Sequence, residues 1–153
     1  MAIYLVQHGK SLSKEVDPEK GLSQEGTAQV KRIAQVAQSY CIRVSKILHS
    51  GKKRAKQTAE IFANQLNPKE GVEKINGIAP LDNVVDFAEN LNLKSNQMIV
   101  GHLPFMSHLI SYLVMGSVNP PIFNVQNGGI ICLDQDVEYD SVVIKWALMP
   151  EIK

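Results

Sequence analysis

The stretch "AIYLVQHGKS", residues 2–11, decides the fold: an apolar run of five residues stops abruptly at Gln7, His8 and Gly9. A short apolar run bounded by turn-prone residues reads as a buried strand. Glycine directly after it permits a sharp backbone departure, which presents the His8 ring at the edge of a sheet. The simpler alternative is a buried strand followed by an ordinary loop, with no special role for the histidine. Whether other strands end the same way decides between them.

Working outward, they do. "NQMIVGH", residues 96–102, is a second buried strand ending in a Gly-His pair, and "RVSKILHS", residues 43–50, is another that ends near His49 and Ser50. Helical patterns lie between them. Val30, Ile33, Ala34 and Ala37 form one apolar stripe within a helix from Gly26 to about Gln38, opposite Lys31, Arg32, Gln35 and Gln38. Ala55, Ala59, Phe62 and Leu66 form another over residues 53–66, which puts Arg54 in the first turn and lets Ser50 cap the helix. Pro104 suits the first turn of a third helix, in which Met106, Leu109, Ile110 and Leu113 face the core and Gly116 ends the last turn. "GGIICL", residues 128–133, and "SVVIKWALM", residues 141–149, read as late strands. Strands alternating with helices predict a three-layer α/β/α sandwich with a largely parallel central sheet.

Length and composition limit the molecule further. The 153 residues fit a single domain spanning 1–153, and 44% hydrophobic with 20% charged residues describes a globular chain rather than a disordered one. A net charge of +1 supplies no basic field for nucleic acid, so any anion site must be local. The N-terminal apolar run is too short to span a bilayer, and the later one is interrupted by His102 and His108, so no membrane association is expected. Cys41 and Cys132 stand far apart without a second thiol or histidine at metal-ligand spacing; both read as small core hydrophobes in a cytoplasmic protein.

His8, Ser50 with Arg54, and His102 each fall just past the C-terminal end of a predicted strand, where open α/β sheets place ligands. Two imidazoles and a guanidinium near helix N-termini make an anion pocket, and phosphate is its natural guest.

These residues also carry a family resemblance. The chain resembles the histidine phosphatase superfamily, also called phosphoglycerate mutase-like, and within it the short SixA-type phosphohistidine phosphatases. The family opens with a strand and Arg-His-Gly, here Gln7-His8-Gly9. Its Leu-Ser/Thr-x-x-Gly-x-x-Gln is matched by Leu22, Ser23, Gly26 and Gln29, and its Ser-x-x-x-Arg-Ala-x-Gln-Thr-Ala by Ser50, Arg54, Ala55, Gln57, Thr58 and Ala59. The late Gly/Ser-His-x-Pro appears as Gly101, His102 and Pro104.

The resemblance implies a phosphatase acting through a phosphohistidine on the enzyme itself, with no metal and no cofactor. His8 is then the nucleophile, attacking as the neutral imidazole, while Arg54 and His102 stabilise the phosphoryl oxygens. Gln7, Gly9 and Ser11 join Arg54 and His102 as phosphate-binding candidates, although a turn hydrogen bond explains Ser11 as well. Asp82 is a candidate general acid and equally a candidate N-cap for the helix carrying Val85, Ala88 and Leu91. His49 and His108 are read as structural.

One position departs from the pattern. Where the family has arginine, Gln7 offers only neutral hydrogen bonds, a difference of roughly 1–2 kcal/mol per contact. Two readings stay open: a phosphatase with reduced pocket charge, compensated by Lys10, Lys52 or Lys53, and a module that binds a phospho-ligand without turnover. Only about thirty residues separate Leu66 from Gln97, leaving little chain to roof the pocket. An open pocket favours phosphohistidine on a protein over a small phosphate ester.

Overall fold

The structure is a computed structural model and describes residues 1–152. The elements, in chain order, are β1 (Ala2–Gln7), α1 (Gln24–Ser39), β2 (Lys46–His49), α2 (Lys53–Leu66), β3 (Val72–Lys74), α3 (Val84–Glu89), β4 (Gln97–Gly101), α4 (Phe105–Met115), β5 (Ile130–Asp136) and β6 (Ser141–Leu148). One six-stranded sheet runs β3-β2-β4-β1-β5-β6. The pairs β1–β4, β2–β4 and β2–β3 are parallel, and β5 pairs antiparallel with both β1 and β6. This is the expected three-layer sandwich of phosphoglycerate mutase-like type.

Every residue of β1 is buried, because helices cover both faces of a largely parallel sheet. Side chains alternate between the two faces. Tyr4 and Val6 pack with Val30, Ala34, Ala55, Ala59 and Phe62 on the side of α1 and α2. Ile3 and Leu5 pack with Phe105, Met106, Leu109 and Ile110 on the side of α4. Burying a side chain such as Phe62 contributes about 1.5–3 kcal/mol.

The helix signals resolve as local chemistry. α1 begins at Gln24, two residues ahead of the expected Gly26, because the Ser23 hydroxyl accepts from the Gly26 amide at 3.0 Å. α2 has the expected limits, and α4 stops at Gly116, which takes the left-handed conformation with φ 76°.

Four expectations need correction. β3 is an additional strand, three exposed residues long, that pairs with β2 at the edge of the sheet. Cys41 is exposed rather than buried; it follows the end of α1 with φ 57°, while Cys132 is buried as expected. The cap of α3 is Asn83, whose side chain accepts from the Asp86 amide at 3.1 Å, and Asp82 instead accepts from the Ala79 amide at 2.9 Å. Ser50 does not cap α2 in the usual way either: Lys52 occupies that position without a side-chain bond.

Close approach between α1 and the chain leaving β1 fixes two glycines. A Cβ on Gly26 would lie 2.1 Å from the Lys10 carbonyl oxygen, and one on Gly9 would lie 2.7 Å from Val30 Cγ2. Gly26→Ala therefore pushes a methyl group against the Lys10 backbone, and overpacking of this kind costs about 1–3 kcal/mol. Urea unfolding should show a clearly lowered midpoint; an unchanged midpoint would mean that the segment after β1 is free to move away from α1.

Candidate active site

Strand register builds the site. Gln7 lies opposite Gly101 in the β1–β4 pairing, and His49 lies opposite Val100 in the β2–β4 pairing. The next residues, His8, Ser50 and His102, therefore leave three adjacent parallel strands at the same edge. The backbone holds the arrangement: the His8 amide donates to the Gly101 carbonyl at 3.0 Å, and the Asn127 side chain donates to the His8 carbonyl at 3.0 Å.

His8 is 9% exposed and His102 only 1%. Their ring centroids are 5.0 Å apart with planes tilted by 54°. His8 Nδ1 lies 2.7 Å from the Gly9 carbonyl oxygen, which can only accept, so Nδ1 carries the proton. Nε2 is left with its lone pair, and Arg54 Nε donates to it at 3.2 Å. Arg54 is anchored through its own main chain: its carbonyl accepts from the Thr58 hydroxyl at 2.8 Å, and Thr58 Oγ1 accepts from the Gly9 amide at 3.0 Å. Thr58 thus ties the first turns of α2 to the segment that carries His8, which leaves β1 without the sharp departure expected at Gly9.

Both imidazoles are held neutral. Burial lowers His8 to about 4, with the Arg54 charge adding to it, while the bond to Gly9 acts the other way. Burial lowers His102 to about 3, with contributions from His8, Arg54 and Lys52. A lone-pair nitrogen beside a guanidinium and a second ring suits in-line attack on phosphorus with the oxygens held by donors.

His8, Arg54 and His102 thus converge as expected, and Ser50 joins them. Its Oγ lies 2.6 Å from His102 Nε2, a contact that strand placement alone hinted at. Gln7 is buried and lines a neighbouring cavity of about 230 Å³ with Lys10, Gln29, Leu103, Gln126 and Glu151 among others. The Gly9 amide is engaged by Thr58, and Ser11 forms a backbone bridge with Leu22. Asp82 is exposed on the Ala79–Asp82 turn. His49 is buried, its Nδ1 accepting from the Gly51 amide at 3.0 Å, and His108 is half-buried on α4.

Of the lysines expected to replace a missing arginine, Lys10 pairs with Glu25 and Glu151, and Lys53 with Asp17 and Glu19. Lys52 is exposed and contributes a positive field at His102. Among the described residues no cluster of three or more His, Cys, Asp or Glu is arranged to hold a metal ion, and no helix is long and apolar enough to cross a membrane.

The neutral histidines make stability pH-dependent with a definite sign. Below about 6.5 the unfolded chain binds protons that folded His8 and His102 refuse. Stability should therefore fall as pH drops from 6.5 towards 4, and NMR titration should show both rings still neutral at pH 6. A ring titrating near 6.5 in the folded protein would contradict the tight burial of the site.

Comparison with known proteins agrees with this fold. The chain is similar in structure to the protein histidine phosphatase SixA complexed with tungstate, with a TM-score of 0.82 and 22% identity over 98% of this chain and 97% of that one. It is similar to a structure assigned as a phosphohistidine phosphatase SixA from Agrobacterium tumefaciens, with a TM-score of 0.76 and 23% identity over 97% of each chain. A third similar structure is phosphoserine phosphatase in complex with 3-phosphoglyceric acid from Entamoeba histolytica, with a TM-score of 0.67 and 16% identity over 95% of each chain. No curated protein sequence matches. Residues 3–79, which carry His8, Arg54 and all but the last of the motifs, match the histidine phosphatase superfamily (branch 1), and the chain belongs to that superfamily.

Proposed function

We propose that the protein is a metal-independent phosphatase that works through a phosphohistidine formed on His8 and takes its phosphoryl group from phosphohistidine on another protein. The observation that carries this reading is the tautomer of His8: with Nδ1–H committed to the Gly9 carbonyl, the lone pair on Nε2 faces Arg54. In the first step Nε2 attacks phosphorus, a P–N bond to His8 forms, and the bond to the leaving nitrogen breaks, its electron pair departing with the leaving group. In the second step water attacks the phosphohistidine, releasing inorganic phosphate and restoring neutral His8. Arg54 and His102 hold the phosphoryl oxygens through both steps.

The choice of a protein substrate rests on how little covers the site. Between α2 and β4 the chain forms only β3, a six-residue α3 and turns, with no roofing insertion. Small metabolites need enclosing contacts for specificity, whereas a phosphorylated side chain brings its own protein surface. The SixA neighbour's tungstate is a tetrahedral oxyanion like phosphate, which fits a pocket of two histidines and an arginine.

A second reading is favoured by Gln7, which supplies no charge, and by the commitment of Lys10 and Lys53 to carboxylates: a module that binds a phospho-ligand without turnover. Brief exposure to a labelled phosphodonor and an alkaline quench should leave acid-labile, base-stable label on His8, and His8→Ala should abolish both label and phosphate release while keeping the fold. Absence of label on the wild-type protein, under conditions that label an active SixA phosphatase, would leave only the binding reading. Gln7→Arg should raise turnover by up to about tenfold, the equivalent of 1.4 kcal/mol. Tighter phosphate binding with unchanged turnover would place the added charge in the ground state and count against Gln7 as a brake on catalysis.

A further inference from the structure

His102 makes its side-chain contact in an unusual way. Its Nδ1 is buried and, among the described residues, has no hydrogen-bond partner. Its Nε2 lies 2.6 Å from Ser50 Oγ, and Ser50 Oγ also accepts from the Lys52 amide at 3.4 Å. A neutral imidazole has one N–H and one lone pair, so the two nitrogens must divide these roles. A buried N–H with no acceptor is rarer and more costly than a buried acceptor with no donor. The lone pair therefore belongs on Nδ1 and the proton on Nε2, donated to Ser50. A serine oxygen has two lone pairs, enough for Nε2–H and the Lys52 amide together.

We propose that Ser50 is a positioning residue that holds His102 in the Nε2–H tautomer and aims this neutral donor at the phosphoryl site. The inference rests on the phosphatase reading. Nδ1 is sealed in the protein, so Nε2 is the only nitrogen of His102 able to meet a phosphoryl oxygen. Without ligand, Ser50 keeps that N–H oriented; with ligand, the phosphoryl oxygen takes or shares it, and no proton changes atoms. The opposite tautomer would turn a lone pair toward anionic oxygens and repel them. Ser50 thereby does for His102 what the Gly9 carbonyl does for His8, with opposite outcome: one ring presents a lone pair to phosphorus, the other an N–H to oxygen.

The test reads the tautomer directly. In ¹⁵N NMR of the full chain at neutral pH, His102 should show a protonated Nε2 and an unprotonated Nδ1, and His8 the reverse. Ser50→Ala should shift His102 toward a mixture of tautomers and lower kcat on an aryl phosphate by about fivefold, the worth of one neutral hydrogen bond, with a smaller change in KM. Ser50→Thr, which keeps the hydroxyl, should restore both. A wild-type His102 protonated on Nδ1 overturns the proposal, as does a Ser50→Ala protein whose tautomer and kcat are unchanged. Failure of the wild type to accept phosphate on His8 would instead remove the phosphatase reading, while the tautomer measurement still stands on its own.

Discussion

The contact between His8 Nδ1 and the Gly9 carbonyl, 2.7 Å long, is the constraint on which the site depends. It is made by adjacent residues, so it fixes the course of the backbone as it leaves β1. That segment has no room for a side chain at Gly9, where Val30, Leu22 and the Gly26 carbonyl crowd in. α1 therefore has to pass close by, and Gly26 allows it to do so against Lys10. The tautomer of one imidazole is in this way tied to the packing of a helix and to two glycines seventeen positions apart.

Burial supplies the second half of the chemistry. An exposed imidazole is partly protonated just below neutrality, and a protonated nucleophile has no lone pair to offer. Removing His8 and His102 from water and setting Arg54 beside them keeps both rings neutral, so the positive field at the pocket comes from the guanidinium, Lys20 and Lys52. Gln7 adds none, and its side-chain Oε1 is buried and, among the described residues, has no hydrogen-bond partner.

Much of this was legible in the sequence where physical periodicity is strong. α2 follows from apolar spacing, α4 from apolar spacing and a terminal glycine, and the common edge of three strands from apolar runs that end in polar residues. The failures were local. β3 is three exposed residues with no apolar pattern, recognisable only once β2 offers a partner. Asn83 and Asp82 are equally good caps on paper, and only the path of the chain chooses. Cys41 looks like a core residue until α1 is seen to end beside it. Ser50 belongs to a recognisable motif, yet its 2.6 Å contact with His102 joins residues 52 positions apart and depends on the register of β2 against β4.

The sheet also separates two bodies of apolar packing. Val6, Val100 and Phe62 belong to one, and Leu5, Ile99 and Met106 to the other. Side chains of the first do not rest on those of the second, so substitutions in the two bodies should combine additively. Descendants of this chain are then free to exchange side chains on either face at separate rates, with Arg54 riding on one layer and the segment after His102 on the other. A change along the single rim where the layers meet must satisfy both at once.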